Sequence, residues 1–161
     1  MKIIHIILLS IILFFVSFNS WSLSNSGEEK QLSIGRMAFL HNRGLEWFYG
    51  LDNKEKNYGS AYRLFKVSAG YGYAPSLFMM GLFYEHGLEV EINYVKAITY
   101  YESSAKKGFV HAQFVLGNMY SRDDLGIPVN YQEAQKWYKL AIKQGHVRAM
   151  LALGYMYLTG E

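Results

Sequence analysis

The one short string able to do covalent chemistry is Ser103-Ser104-Ala105-Lys106. A serine with a lysine three places on sets a nucleophilic hydroxyl and an ammonium one helical turn apart, the arrangement of serine acyl-transfer sites. The rest of such a site is missing from the sequence. No Ser-Asp-Asn or Lys-Thr-Gly string accompanies it, Ser103 falls near the end of its helix instead of opening it, and its counterparts in the neighbouring sequence copies are Val67 and Leu140. Ser103 therefore reads as a packing residue and Lys106 as a charge at a helix C-terminus. Metal chemistry has no better footing. His41 and His86 lie near the ends of predicted helices, His111 and His146 near the starts, and no two share one helix at the i, i+4 spacing a metal site uses. Neither catalytic residues, nor metal ligands, nor a cofactor are expected, and the histidines read as a polar rim.

These residues are positioned by an internal repeat. Tyr58, Tyr94 and Tyr131 stand 36 and 37 residues apart, as do Ala61, Ala97 and Ala134, and again Gly72, Gly108 and Gly145. Gly44, Gly81, Gly117 and Gly154 follow at 37, 36 and 37. A fixed interval of roughly 20–50 residues marks stacked units, none of which can bury its apolar face alone. Each unit reads as two helices. First helices are predicted over Pro75 to His86, Val110 to Ser121 and Val147 to Thr159; second helices are predicted over Tyr58 to Gly72, Tyr94 to Lys107 and Tyr131 to Gln144. Ahead of them Ile34, Met37, Phe39, Leu40, Leu45, Trp47 and Phe48 predict a helix buried along a broad face. Ser26 and Glu29 have capping-box spacing before it. No stretch alternates convincingly with period two, so the chain reads as all-α, with short connections between antiparallel neighbours.

The recurrent residue types have physical reasons. A glycine inside a helix costs about 1 kcal/mol against alanine, so Gly81, Gly117 and Gly154 imply close approach of a paired helix. Tyr84, Tyr120 and Tyr157, three residues after them, supply the rings expected over the bare backbone. In the second helices Ala61, Ala97 and Ala134 precede Leu64-Phe65, Tyr100-Tyr101 and Trp137-Tyr138, so small and large residues interdigitate. Gly72, Gly108 and Gly145 fall just past helix ends, where a left-handed cap favours glycine. Lys106, Lys107 and Lys143 complement the negative end of the helix dipole.

The patterns Leu116-Gly117-x-x-Tyr120 and Ala134-x-x-Trp137-Tyr138-x-x-Ala141, with the terminal Gly145, resemble the Sel-one-like repeat, a relative of the tetratricopeptide repeat. The resemblance runs from about Arg43 to Gly160. It implies a right-handed α-α superhelix of about three and a half helix-turn-helix repeats. It also implies a scaffold or adaptor, in bacteria often exported and concerned with host or envelope. A cysteine-rich exported branch of that family is linked to penicillin binding, which implies a penicillin-interacting hydrolase as the alternative function. This chain has no cysteine and departs from that branch.

Positions that change character between copies are not fixed by the repeat core. On the first helix they include Met79/Val115/Ala152, Leu82/Asn118/Tyr155 and His86/Arg122/Thr159, spaced three and four apart on one helix face. First helices line the concave surface of such solenoids, so Met79, Leu82, His86, Val115, Asn118, Arg122, Ala152 and Tyr155 are the candidates for holding another protein or peptide.

The first residues carry a different signal. Lys2 is followed by an apolar run from Ile3 to Phe18 and then by Asn19-Ser20-Trp21-Ser22-Leu23-Ser24, the pattern of a secretory signal with cleavage after Ser22 or Ser24. The expected division is a signal peptide over 1–22, a short linker over 23–30 and a repeat domain over 31–161. The mature chain would then be periplasmic or secreted, meeting a membrane only through its leader. With no cysteine there is no disulfide, and stability must come from helix packing. The net charge of +3 is spread along the chain, with Lys106-Lys107 the one basic pair. A nucleic-acid binder gathers a basic face, so nucleic acid is not an expected partner. Gly154 to Gly160 matches Gly81 to Gly87, but no second helix follows, so Met150, Leu151, Leu153 and Tyr157 cannot all be buried. Fraying or self-association through that open end is the expectation.

Overall fold

The computed structural model describes residues 31, 33–51 and 55–160, and the predicted leader, the linker and the Ser26–Glu29 capping box lie outside them. From Met37 onward the chain forms one compact unit. The described residues hold seven helices and no strand. Helix α1 covers 33–49, followed by α2 (Tyr58–Gly70), α3 (Ala74–His86), α4 (Tyr94–Lys106), α5 (Val110–Tyr120), α6 (Tyr131–Lys143) and α7 (Val147–Thr159). All ends fall within two residues of those predicted from the repeat.

The boundaries follow from capping chemistry that the repeat reproduces. Asn57, Asn93 and Asn130 each precede a second helix, and their side-chain oxygens accept from the backbone N–H of Ser60, Lys96 and Glu133 at 2.7, 2.9 and 3.0 Å. The same three asparagines donate their own N–H to the carbonyls of Trp47, Tyr84 and Tyr120 at 2.9, 2.8 and 2.8 Å. Each second helix is thus pinned at its start to the end of the first helix before it. Past the second helices Gly72, Gly108 and Gly145 take φ of 77°, 87° and 81°, as the glycine spacing predicts. The residues after them, Tyr73, Phe109 and His146, return their N–H to Ser68, Ser104 and Ala141, closing a sharp turn into the next copy.

Successive helices from α2 to α7 pack on one another, and α5 also meets α7, one first helix on the next. Ala61, Ala97 and Ala134 are fully buried, which lets the large residues four places on enter the core. Phe65, Tyr101 and Tyr138 do so, each at 2% exposure or less. Two buried serines tie the second helix of a copy to its first: Ser68 Oγ donates to the Met37 carbonyl at 3.0 Å and Ser104 Oγ to that of Ala74 at 2.7 Å. Helix α1 buries less than the sequence predicts. Met37 is buried and Leu45, Trp47 and Phe48 are half-buried, but Phe39 is 62% exposed.

Candidate functional site

The frame of any binding surface here is the contact between first and second helices. A Cβ on Gly44 would stand 2.6 Å from Phe65 Cε1, and one on Gly81 or Gly117 would stand 2.8 Å from Cζ of Tyr101 or Tyr138. Contacts this short do not exist, so only glycine admits these rings. The close approach predicted from the glycines is present, but the ring differs from expectation. It comes from the paired second helix, four residues after the buried alanine, and not from Tyr84 or Tyr120 three residues along the same helix. A side chain three places on in a helix lies beside its own backbone and cannot cap it from outside.

The ring hydroxyls are also placed. Tyr101 donates to Glu85 Oε2 at 2.5 Å, and Tyr138 donates to Asn118 Oδ1 at 2.7 Å and lies 3.4 Å from Ser121 Oγ. Burial pushes the Tyr101 hydroxyl up, with the Glu85 charge adding to it, and burial also raises Tyr138. Both remain donors. Tyr120 reaches across to Glu102 Oε1 at 2.9 Å, while Lys106 donates to the other oxygen at 2.9 Å. Burial opposes ionisation of Glu102, but hydrogen bonds from Lys106 and Tyr120 outweigh it and hold the carboxyl below its ordinary range. Tyr120 is pushed up to about 12 by burial and by that hydrogen bond.

Against this frame the predicted partner-binding residues separate. Met79 is buried among Ala61, Phe65 and Phe83 and offers no surface. Its long flexible side chain reaches into the cluster that its shorter counterparts Val115 and Ala152 only edge. Leu82 and Val115 are half-buried against the core, Ala152 likewise, and Asn118 is committed to the Tyr138 hydroxyl. His86, Arg122 and Tyr155 are exposed, with Arg122 gripped by Asp124 at 2.6 and 2.9 Å. Ser103 donates to the Thr99 carbonyl at 2.8 Å and Lys106 to Glu102, so hydroxyl and ammonium are turned to different partners.

One feature of the same stripe was missed in the sequence. His41, Phe78, Phe114 and Leu151 share one repeat position, and each of the first three packs on a ring at the turn into the next copy. His41 meets Tyr73 with ring centroids 5.5 Å apart, Phe78 meets Phe109 at 5.3 Å, and Phe114 stacks on His146 at 4.6 Å. The repeat register carried that signal, hidden because histidine, phenylalanine and leucine alternate in the column. It also brings two histidines together that the sequence left apart, His111 and His146 at 5.7 Å. No group of three metal-binding side chains occurs among the described residues. His146 Nδ1 accepts from the Ala149 N–H at 3.2 Å and so caps α7. Burial lowers its pKa, with the charges of His111 and Arg148 adding, and burial likewise lowers that of His41, whose Nδ1 lies 2.9 Å from Ser76 Oγ.

At α7 the pattern has an open side. Gly154 has nothing within 4 Å of a Cβ position, and Leu151 is 69% exposed, with no ring among the described residues in the place that Tyr73, Phe109 and His146 take in the other copies. Val147, Met150, Tyr157 and Leu158 are exposed with them. Of the four residues that could not all be buried, Leu153 is the one that is, packed with Ala149 and Met156 in the cluster formed with α6. It lies opposite the open side, on the face that the preceding second helix covers.

The Sel1 repeat family model matches residues 37–69, 74–109, 110–146 and 147–161; the first three matches each span a helix pair and the fourth covers α7. Among solved structures, a Sel1 repeat protein from Oxalobacter formigenes is similar at 31% identity and a TM-score of 0.70, over 77% of this chain and 49% of that one. A protective antigen present in uropathogenic Escherichia coli strains, displaying an SLR fold, is similar at 30% identity and a TM-score of 0.72, over 82% of this chain and 28% of that one. The chain thus spans half or less of the length of these proteins. Matched along all its described helical pairs, this chain belongs to the Sel1 repeat family and is an α-α solenoid.

Proposed function

We propose that the chain is an exported, non-enzymatic scaffold that holds another protein or peptide against the concave face made by its first helices. The observation that carries this is a division of labour within each copy. The repeat-defining residues Ala97, Tyr101, Gly117, Ala134 and Tyr138 are spent on internal packing, whereas the positions that differ between copies come to the surface at His86, Arg122 and Tyr155. Surface variation on a fixed frame is how helical repeats set partner choice. Export with cleavage after Ser22 or Ser24 completes the reading, supported by the charged, apolar and small-residue order of the first residues. Similarity to a protein that is a protective antigen supports it as well.

The test is capture from envelope or culture fluid by the wild type and by a His86→Glu/Arg122→Glu/Tyr155→Glu variant. A partner held by the first and lost by the second is expected; equal capture by both would sink the assignment of the face. The open side of α7 is the proposed route of self-association. Because Leu153 is buried, the exposed Leu151 is the proper probe, and Leu151→Glu should convert a concentration-dependent dimer to monomer in light scattering. For the hydrolase alternative, covalent capture of a labelled β-lactam that disappears in Ser103→Ala would overturn the scaffold reading.

A further inference from the structure

Along the sequence the charges look interspersed, but the fold sorts them. Helix α2 carries Arg63 and Lys66; α4 carries Lys96 and Lys106, with Lys107 at its C-cap; α6 carries Lys136, Lys139 and Lys143. All eight are exposed. The same segments hold two carboxylates, Glu102 and Glu133, and each is engaged by a lysine of its own helix, Lys106 at 2.9 Å and Lys136 at 3.1 Å. The rest of the chain runs the other way, with eight cationic and eleven acidic side chains. Second helices turn their buried alanine and aromatic stripe inward, so their outer stripes form one layer, and that layer is basic on a chain of net charge +3.

From this segregation we propose that the outer layer of second helices is a docking surface for an anionic lipid bilayer. Three features select a bilayer among anionic partners. The cations stand on three separate helices, and an open groove of about 380 Å³ along α6 is edged by Lys136, Lys139 and Lys143. A spread of this kind suits a broad charged surface better than a single polyanion strand. Seven of the eight are lysines, hydrated point charges that suit a fluid layer of headgroups, whereas fixed phosphate recognition favours the planar fork of arginine. Apolar side chains are exposed on the same stripes, Val67 on α2 and Val95 on α4, with Tyr71 at the C-cap of α2. They are placed to enter the headgroup boundary between the lysine stems. No helix among the described residues is long and apolar enough to cross a membrane, and the contact proposed is a peripheral one. It leaves the first-helix face, on the other side of each helix pair, free for a protein partner.

The test is co-sedimentation of the full chain with vesicles of phosphatidylglycerol and phosphatidylcholine, against phosphatidylcholine alone, for the wild type and Lys136→Gln/Lys139→Gln/Lys143→Gln. The apolar run of the first residues contributes equally to both proteins, and the neutral vesicles measure it. A lysine near an anionic surface is worth roughly fivefold in binding, so the triple variant should bind the charged vesicles about a hundredfold more weakly. Its melting temperature should match the wild type, since the three side chains are exposed. Raising salt from about 0.1 to 0.5 M should release the wild type from the charged vesicles. Equal binding to neutral and charged vesicles, binding that the triple variant retains, or tighter binding to duplex DNA than to the charged vesicles would each overturn the proposal.

Discussion

Replacing Gly117 by alanine adds one methyl group, and its effect can be worked out from its surroundings. Within a helix the change alone favours alanine by about 1 kcal/mol. Against that gain, the new Cβ falls inside the van der Waals radius of the Tyr138 ring, 2.8 Å from Cζ and closer to the near edge. The ring cannot swing aside cheaply. It is 2% exposed, lies 6.2 Å from Phe114, and its hydroxyl is bonded to Asn118. Relief therefore requires α6 to retreat from α5. Overpacking of this kind costs about 1–3 kcal/mol, and stretching the Tyr138–Asn118 bond adds about 0.5–1.5 kcal/mol. The net is a loss of about 1–3 kcal/mol, a fall of roughly 4–10 °C in melting temperature for a unit of this size. Gly154→Ala is the matched control, with the same helix position and nothing within 4 Å. It should gain up to about 1 kcal/mol, so the two variants should move the melting temperature in opposite directions. Gly117→Ala melting at or above the wild type would refute the locking of helix pairs by ring on glycine.

Acid should weaken the fold through its histidines. His41 and His146 are held below the ordinary histidine pKa by burial, so the unfolded chain takes up protons first, and the stability present above about pH 6.5 is lost as the pH falls below it. His146→Asn keeps a capping side chain at α7 without a titrating group, and should lose less melting temperature than the wild type between about pH 7.5 and 5. Asn130→Ala removes the α6 cap and should cost about 1 kcal/mol in denaturant unfolding, with an unchanged m-value. In an ultraviolet titration the Tyr62 and Tyr120 hydroxyls, both pushed up to about 12, should ionise above the ordinary tyrosine range, and Tyr120→Phe should remove part of that late phase.

Most of the fold was legible because each copy repeats its own punctuation. The glycine after each second helix and the alanine four residues before a large ring each do one physical job, so spacing located the helices to within two residues, while the asparagine caps went unread until the structure showed them. What could not be read was direction. Spacing showed that Gly117 needs a close neighbour but not that the neighbour is Tyr138 on the paired helix, because a one-dimensional pattern cannot say which of two rings crosses the gap. Met79 failed as a surface residue for a related reason: a position that varies between copies can still face inward when one copy places a long side chain there. The stacking of Phe114 on His146 and the gathering of lysines into one layer arise from residues of different copies meeting in space. Neighbouring copies had to be laid side by side before either could be seen.

The proposed division into a protein-binding first-helix face and a lipid-facing second-helix layer is open to one direct measurement. A photoreactive amino acid is placed singly at Tyr155 or His86 on the first helices, or at Lys139 or Lys66 on the second, in the full chain expressed in cells, and the adducts are separated by mass. Protein adducts of discrete size from Tyr155 and His86, with lipid adducts from Lys139 and Lys66, are the predicted result. Protein adducts confined to Lys139 and Lys66, with none from the first helices, would contradict the account.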